Sequence, residues 1–179
     1  MSVLNQKQAL RREMKIKRAE YMKSSPGIST LCEKSFLKSE IYKTASVILT
    51  YYSFGSEADT HLLIKTALDD GKKVYMPETA EDFSMEFFSC DKSGEMYSGG
   101  GGLCIIPGLA FDPVGGRLGF GKGCYDRYLA SQSDLLRVAF CPECSFIDKV
   151  PVDENDIYMQ IIIKENEIMF TEGGLAYGR

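Results

Sequence analysis

Residues 46–76 read SVILTYYSFGSEADTHLLIKTALDDGKKVYM. The stretch opens with Ser46-Val-Ile-Leu-Thr-Tyr-Tyr52, a continuous β-rich apolar run of the kind buried on both faces of a sheet. Asp59 stands as an N-cap for a helix over 60–70, and Gly71 as its stop. Lys73-Val-Tyr-Met76 resumes as a short strand closed by Pro77. Strand, helix and strand within about thirty residues predict a parallel βαβ crossover.

The pattern continues outward on both sides. Upstream, 4–23 predicts a helix with Leu10, Met14, Lys17 and Tyr21 near one face and charges over the rest. Ser24-Ser25-Pro26-Gly27 breaks it. A second amphipathic helix covers about 28–39, with Ile28, Leu31, Cys32 and Phe36 along one side. Downstream, Met85–Cys90 is strand-like. Asp91–Gly102 is loop, ending in four glycines that read as a flexible surface segment. Leu103–Ile106 is a strand stopped by Pro107-Gly108. A long loop, Leu109–Gly121, leads to a helix over Lys122–Ser131. Leu135–Phe140 and Gln160–Lys164 are further strands, and Ile168–Phe170 returns as a short edge hairpin. The alternation predicts an α/β fold, a three-layer α/β/α domain spanning 1–179 with a mainly parallel open sheet. Ligands of such sheets bind beyond the carboxyl ends of the strands. The loops after 46–52 and 103–106 are therefore where a site is expected.

Composition narrows the function. The chain has 179 residues, 44% hydrophobic and 26% charged, which fits a globular domain and excludes collagen, coiled coil and bulk disorder. At this length roughly 70% of the unfolded chain's surface can be buried, so no disulfide or metal staple is needed. No apolar run approaches the ~18 residues of a membrane span, and the N-terminus lacks the apolar core of a signal peptide. A cytoplasmic monomer is the expectation. Net charge is −4, but residues 1–23 carry +5 and residues 24–179 carry −9. An acidic chain is a poor nucleic-acid binder, while a local basic helix can still meet a small phosphorylated ligand. The 6 cysteines read as reduced thiols, several of them buried. Cys141-Pro-Glu-Cys144 has ligand-like spacing, yet no second pair or nearby histidine completes a zinc site.

The chemistry-bearing stretch is PGLAFDPVGGRLGFGKGCYDRYL, residues 107–129. It follows a strand and leads into a helix. Gly119, Gly121 and Gly123 alternate, so backbone amides can approach a ligand closely. A helix N-terminus adds unpaired N–H donors, and Arg117 and Lys122 add full charges. The combination predicts a polyphosphate cradle. It is not a Walker loop, because Gly123 stands where Ser or Thr would follow the lysine. Asp126 reads either as a magnesium ligand or as a surface acid paired with Arg127 or Lys122.

This stretch resembles the signature of the 5-formyltetrahydrofolate cyclo-ligase family. Lys7-Gln-Ala-Leu-Arg11 resembles the family's opening K-x-x-L-R, Tyr52-Ser-Phe-Gly-Ser-Glu57-Ala-Asp-Thr60 its S-x-x-x-E-x-x-T loop, and Val150–Asp156 its late acidic loop. The resemblance implies the family's open-sheet architecture, akin to the NagB/RpiA/CoA-transferase-like folds. It also implies conversion of 5-formyltetrahydrofolate and MgATP to 5,10-methenyltetrahydrofolate, ADP and phosphate. Lys7, Arg11, Arg117 and the segment Gly119, Phe120, Gly121, Lys122, Gly123, Cys124 and Tyr125 would bind ATP, with residues 1–23 packed at the nucleotide site. Tyr52, Phe54, Glu57 and Tyr125 would meet the reduced folate. Asp126 and Asp156 would hold Mg²⁺. Lys122 and Arg117 would stabilise charge as the formyl oxygen attacks the γ-phosphorus and N10 then closes the ring. No nucleophilic side chain is required, and His61 is not needed as a base.

Three positions depart from the family pattern. Cys124 replaces the first tyrosine of G-Y-Y-D, the segment before Pro107 is short and ends in tetraglycine, and Gln160 stands where aspartate is common. The phosphate machinery is nearly whole, while the folate wall differs. A non-catalytic nucleotide- or folate-binding paralogue, and an ATP-dependent kinase or ligase of another small molecule, are the competing readings.

Overall fold

The computed structural model describes residues 2–24 and 27–173. Helix α1 (Val3–Ser24) is followed by a 3₁₀ turn, then α2 (Leu31–Leu37) and α3 (Glu40–Thr44). The crossover expected from 46–76 is present as β1 (Val47–Leu49), α4 (His61–Asp69) and β2 (Lys73–Thr79). Then come β3 (Met85–Ser89), β4 (Gly102–Ile105), a small hairpin of β5 (Ala110–Phe111) and β6 (Arg117–Leu118), and α5 (Cys124–Ala130). β7 (Leu135–Phe140), β8 (Ile161–Ile163) and β9 (Ile168–Phe170) complete the order. Seven strands form one sheet in the order β3-β2-β1-β4-β7-β8-β9. The five central strands pair in parallel, and β3 and β9 are antiparallel edges.

Alternation along the central strands makes three layers. Ile48, Leu103 and Ile105 pack with Cys32, Phe36, Tyr42, Leu63 and Ile64 of α2, α3 and α4. Leu49, Cys104 and Ile106 point the other way, toward Phe87, Tyr128 and Leu129, the last two from α5. Phe36 and Phe140, fully buried with ring centroids 5.5 Å apart, anchor the first face. Burial of a side chain of this size contributes roughly 1.5–3 kcal/mol.

Several expectations are corrected. Pro77 does not close its strand. It pairs opposite Phe87, whose carbonyl faces away to accept from Tyr97 N, so the missing N–H breaks no ladder bond. The helix expected over 28–39 stops at Leu37, and α3 begins after Ser39, whose Oγ accepts from Tyr42 N. Helix α4 starts at His61 with Thr60 as N-cap; Thr60 Oγ1 is turned to Tyr51 O, and Asp59 Oδ1 accepts from His61 N instead. The long loop 109–121 contains the β5–β6 hairpin. Helix α5 begins two residues after Lys122. Of the tetraglycine, Gly99 and Gly100 are exposed, but Gly102 is the first residue of β4. Of the expected break at 24–27, Ser25 and Pro26 lie outside the described residues.

The largest correction concerns α1. Its buried residues are Lys7, Met14 and Arg18, with Leu10, Arg11 and Tyr21 half-buried, while Lys17 is exposed. The stripe facing the protein is thus cationic as well as apolar.

Candidate active site

Strand order reverses direction between β1 and β4, and the loops leaving these two neighbours, 50–60 and 106–123, form the site. The second loop is held by Asp112, which is 2% exposed. Its Oδ1 accepts from Gly116 N at 2.7 Å and its Oδ2 from Val150 N at 2.8 Å. One carboxylate thereby shapes the β5–β6 turn and ties it to the start of the acidic loop.

After β6 the chain runs through the alternating glycines. Gly121 and Gly123 have φ of +101° and +69°, left-handed values that favour glycine. Arg11 of α1 donates Nε to Gly119 O at 2.9 Å and lies against Gly121. Lys122 is exposed, with Nζ 4.5 Å from the centre of the Phe83 ring. Phe83, at the β2–β3 tip, also accepts from Arg127 through its carbonyl at 2.9 Å. Helix α5 has only 7 residues, so the positive field here comes mainly from side chains.

This loop borders a cleft of about 770 Å³. Lys7, Arg11, Arg117 and Lys122 line it together with Asp126, Asp153 and Asp156. Two of these cations, Lys7 and Arg117, are ion-paired with the carboxylates. Asp126 Oδ1 accepts from Arg117 at 2.7 Å and from Ile157 N at 3.2 Å, so its partner is neither Arg127 nor Lys122. Lys7 Nζ donates to Asp153 at 2.6 Å and also to Asp156. Burial alone would lower the Lys7 pKa, but the two carboxylates override it and raise it above 10.5. Hydrogen bonds, first that from Lys7, hold the Asp153 carboxyl below its usual value. Arg117 Nε and Tyr125 Oη are buried without a partner among the described residues, leaving two donors in the wall.

A second cleft, about 620 Å³, opens beside the first. Tyr51, Tyr52 and Glu57 line one side, and Phe88 and Ser89 of β3 the other. Pro77, Pro107, Phe120 and Tyr125 line both clefts, so the two meet there. Burial raises the Glu57 carboxyl pKa, while its hydrogen bond from Phe54 N and the charge of Arg18 pull the other way.

A model of the 5-formyltetrahydrofolate cyclo-ligase family matches residues 3–104 and 88–165. The chain belongs to this family. Its relatives include 5-formyltetrahydrofolate cyclo-ligase of Mus musculus, 26% identical, with 93% of this chain and 97% of the relative covered. The enzyme of that name from Escherichia coli K12 is 27% identical over 69% of this chain and 80% of its own length. Two solved structures share the fold. The 5,10-methenyltetrahydrofolate synthetase of Mycoplasma pneumoniae has a TM-score of 0.70 at 22% identity, covering 88% of this chain and 97% of that one. That of Aquifex aeolicus has 0.74 at 23%, covering 93% of each. Family membership makes the protein an ATP-dependent ligase of folate metabolism.

In this cyclo-ligase the residues expected at the nucleotide, Lys7, Arg11, Arg117 and Gly119–Tyr125, all border the first cleft, as do Asp126 and Asp156. Tyr52, Glu57 and Tyr125 border the second. Phe54 does not: it is 87% exposed, at a turn where Glu57 accepts from its backbone N–H. His61 stacks on Tyr52 with ring centroids 4.2 Å apart. Cys124 is half-buried and packs against the apolar cluster that includes Phe87, Tyr128 and Leu129. Gln160 Oε1 accepts from Arg137 N, a bond between neighbouring strands rather than a ligand contact.

Sequence reading missed Asp153 and Arg18. Both had a signal: Asp153 lies within the acidic loop, and Arg18 follows Lys7, Arg11 and Met14 at the i, i+4, i+7, i+11 spacing of one helix face. Among the described residues no three His, Cys, Asp or Glu side chains gather as a metal group, and Cys141 and Cys144 are free buried thiols. Magnesium commonly needs only one or two carboxylates beside substrate phosphates, and Asp126 and Asp156, two of the carboxylates lining the cleft, fit that demand.

Proposed function

We propose that this chain, acting as one monomeric domain in the cytoplasm, closes 5-formyltetrahydrofolate to 5,10-methenyltetrahydrofolate at the junction of its two clefts. ATP occupies the glycine-loop cleft and the reduced folate the cleft lined by Tyr52 and Glu57. The observation that carries the reading is the shared wall of Pro77, Pro107, Phe120 and Tyr125. A γ-phosphate in one cleft and a formyl oxygen in the other meet only there.

Lys122 is exposed and free to swing from Phe83 onto a phosphate. Lys7 and Arg11 add charge from α1, and Arg117 stiffens the floor through Pro107 O and Asp126. Asp126 and Asp156 would hold Mg²⁺, which neutralises charge on the phosphates. The formyl oxygen attacks the γ-phosphorus in line and ADP leaves. N10 then attacks the activated carbon and phosphate departs as the ring closes. The protein contributes positioning and charge stabilisation, with Lys122 and Arg117 facing the charge that develops.

The test mixes purified protein with 5-formyltetrahydrofolate and MgATP and follows the near-ultraviolet absorbance of the methenyl product. Product is expected to require ATP and to be lost with Asp126→Asn. No product from protein that still binds MgATP by calorimetry would reject the folate reading and leave the phosphate site standing.

A further inference from the structure

Arg18 is 4% exposed, yet it belongs to no ion pair with a direct carboxylate contact among the described residues. Burying a guanidinium is unfavourable unless its donors are satisfied. Here two of them reach separate segments. NH1 donates to Gly108 O at 2.7 Å, just past β4. Nε donates to Ser56 Oγ at 3.2 Å, beside Glu57 in the loop after β1. The planar face lies 5.6 Å from the centre of the Phe120 ring, in the glycine loop. Phe120 is in turn one of the residues shared by both clefts and is 43% exposed. Gly119 and Gly121 offer no side chain beside the ring, so the contact with Arg18 bears directly on where the ring sits. Helix α1 cannot easily shift Arg18, because Lys7 and Arg11 pin the same face to the acidic loop and to Gly119.

We propose that Arg18 is a positioning residue: it holds Phe120 as the partition between the clefts and locks the folate-side loop to the glycine loop, so that the formyl oxygen rather than water reaches the γ-phosphorus. Its role is alignment and exclusion of water, without contact with either substrate. When the partition loosens, water attacks the γ-phosphorus in place of the formyl oxygen. ADP leaves, and phosphate and a proton are released with no methenyl product.

The kinetic arm of the test rests on the cyclo-ligase reading, and the structural arm does not. Arg18→Met keeps the alkyl volume and removes the forked donors; Arg18→Lys keeps charge without the fork; Phe120→Ala removes the other side of the contact. Thermal unfolding selects folded variants. Arg18→Met is expected to lower kcat at least tenfold, with KM for ATP within about twofold. The ratio of ADP to methenyl product should rise above one, Arg18→Lys should restore little of the coupling, and Phe120→Ala should give the same ratio. The double variant should be no worse than the worse single one. A folded Arg18→Met with wild-type turnover, or with reduced turnover but one ADP per product, overturns the proposal. If Arg18→Met does not fold, the ratio in Phe120→Ala decides in the same way. If the wild-type chain makes no methenyl product, the activity reading fails. The positioning role is then decided by nuclear magnetic resonance of Arg18→Lys, uniformly labelled with ¹⁵N and with ¹³C in its phenylalanine rings. A shift of the Phe120 ring signals together with the Ser56 amide supports it, and unmoved signals overturn it.

Discussion

Lys7 of α1 and Asp153 of the loop before β8 hold each other at 2.6 Å across 146 residues of sequence, and the same ammonium reaches Asp156. A residue expected to meet nucleotide phosphates is thus already bound to carboxylates, one of them expected to hold magnesium. The cleft balances its own charges with its own side chains, as Arg117 and Asp126 do again at 2.7 Å. On the proposed reading, MgATP would exchange these internal pairs for phosphates on the cations and a metal on the carboxylates.

Replacing Lys7 by Met should weaken both folding and ATP binding. Breaking a buried pair costs about 3–5 kcal/mol, and solvent at Asp153, 44% exposed, reduces this to about 1–2 kcal/mol. The Asp153 carboxyl is depressed below 3.8, so its contribution is present above that value and is lost as pH falls through the folded pKa. The Lys7 pKa is raised above 10.5, so its contribution is present below that value and is lost as pH rises through the folded pKa. Urea unfolding of wild type and Lys7→Met should differ most near neutral pH and converge at both extremes.

Lys122→Ala should leave the fold intact, because the side chain is exposed. It should raise KM for ATP and cut turnover by about 10²-fold, the scale for losing one donor that stabilises developing charge. Steady-state kinetics with a melting curve as control measures this. Near-normal kinetics would remove Lys122 from the cradle.

Gly102→Ala should destabilise the protein by about 2–4 kcal/mol. Gly102 has φ +131°, and an added Cβ would stand 2.9 Å from both Val47 Cβ and Val47 O. Gly99→Ala meets nothing within 4 Å, so it carries only the backbone strain of its φ of +98°. Guanidinium denaturation of the two variants should separate them clearly.

Glu33 is 1% exposed and its Oε2 accepts from Leu63 N at 3.0 Å, closing the start of α4 from a different helix. Burial raises its carboxyl pKa above 4.5, so the folded state holds this proton more tightly than the unfolded chain. Stability from this group is therefore greatest below pH 4.5 and declines as pH rises from there through the folded pKa. Glu33→Gln should flatten that slope. Glu33→Ala should cost about 1–3 kcal/mol by stranding the Leu63 N–H.

The crossover from Ser46 to Met76 was legible because buried parallel strands and an amphipathic helix carry their own patterns. The glycine loop was legible because alternating glycines and lysine sit in a short contiguous run. Pro77 misled, since whether a missing N–H matters depends on which strand lies on that side. The family resemblance implied Phe54 at the reduced folate, yet beside the turn at Gly55, with φ +65°, its side chain is 87% exposed.

Local sequence by itself determined the α/β order, the two cleft-bearing loops and the run of glycines and cations over residues 117–123, because each rests on propensity, patterning or charge within a few residues. Only the tertiary structure decided that the cationic stripe of α1 faces inward, that Asp126 pairs with Arg117, and that Arg18 joins the loop after β1 to both ends of the loop after β4. A helix places its side chains at a fixed spacing, but which stripe is buried depends on the partners that meet it. Those partners lie 38 to 149 residues away in the chain.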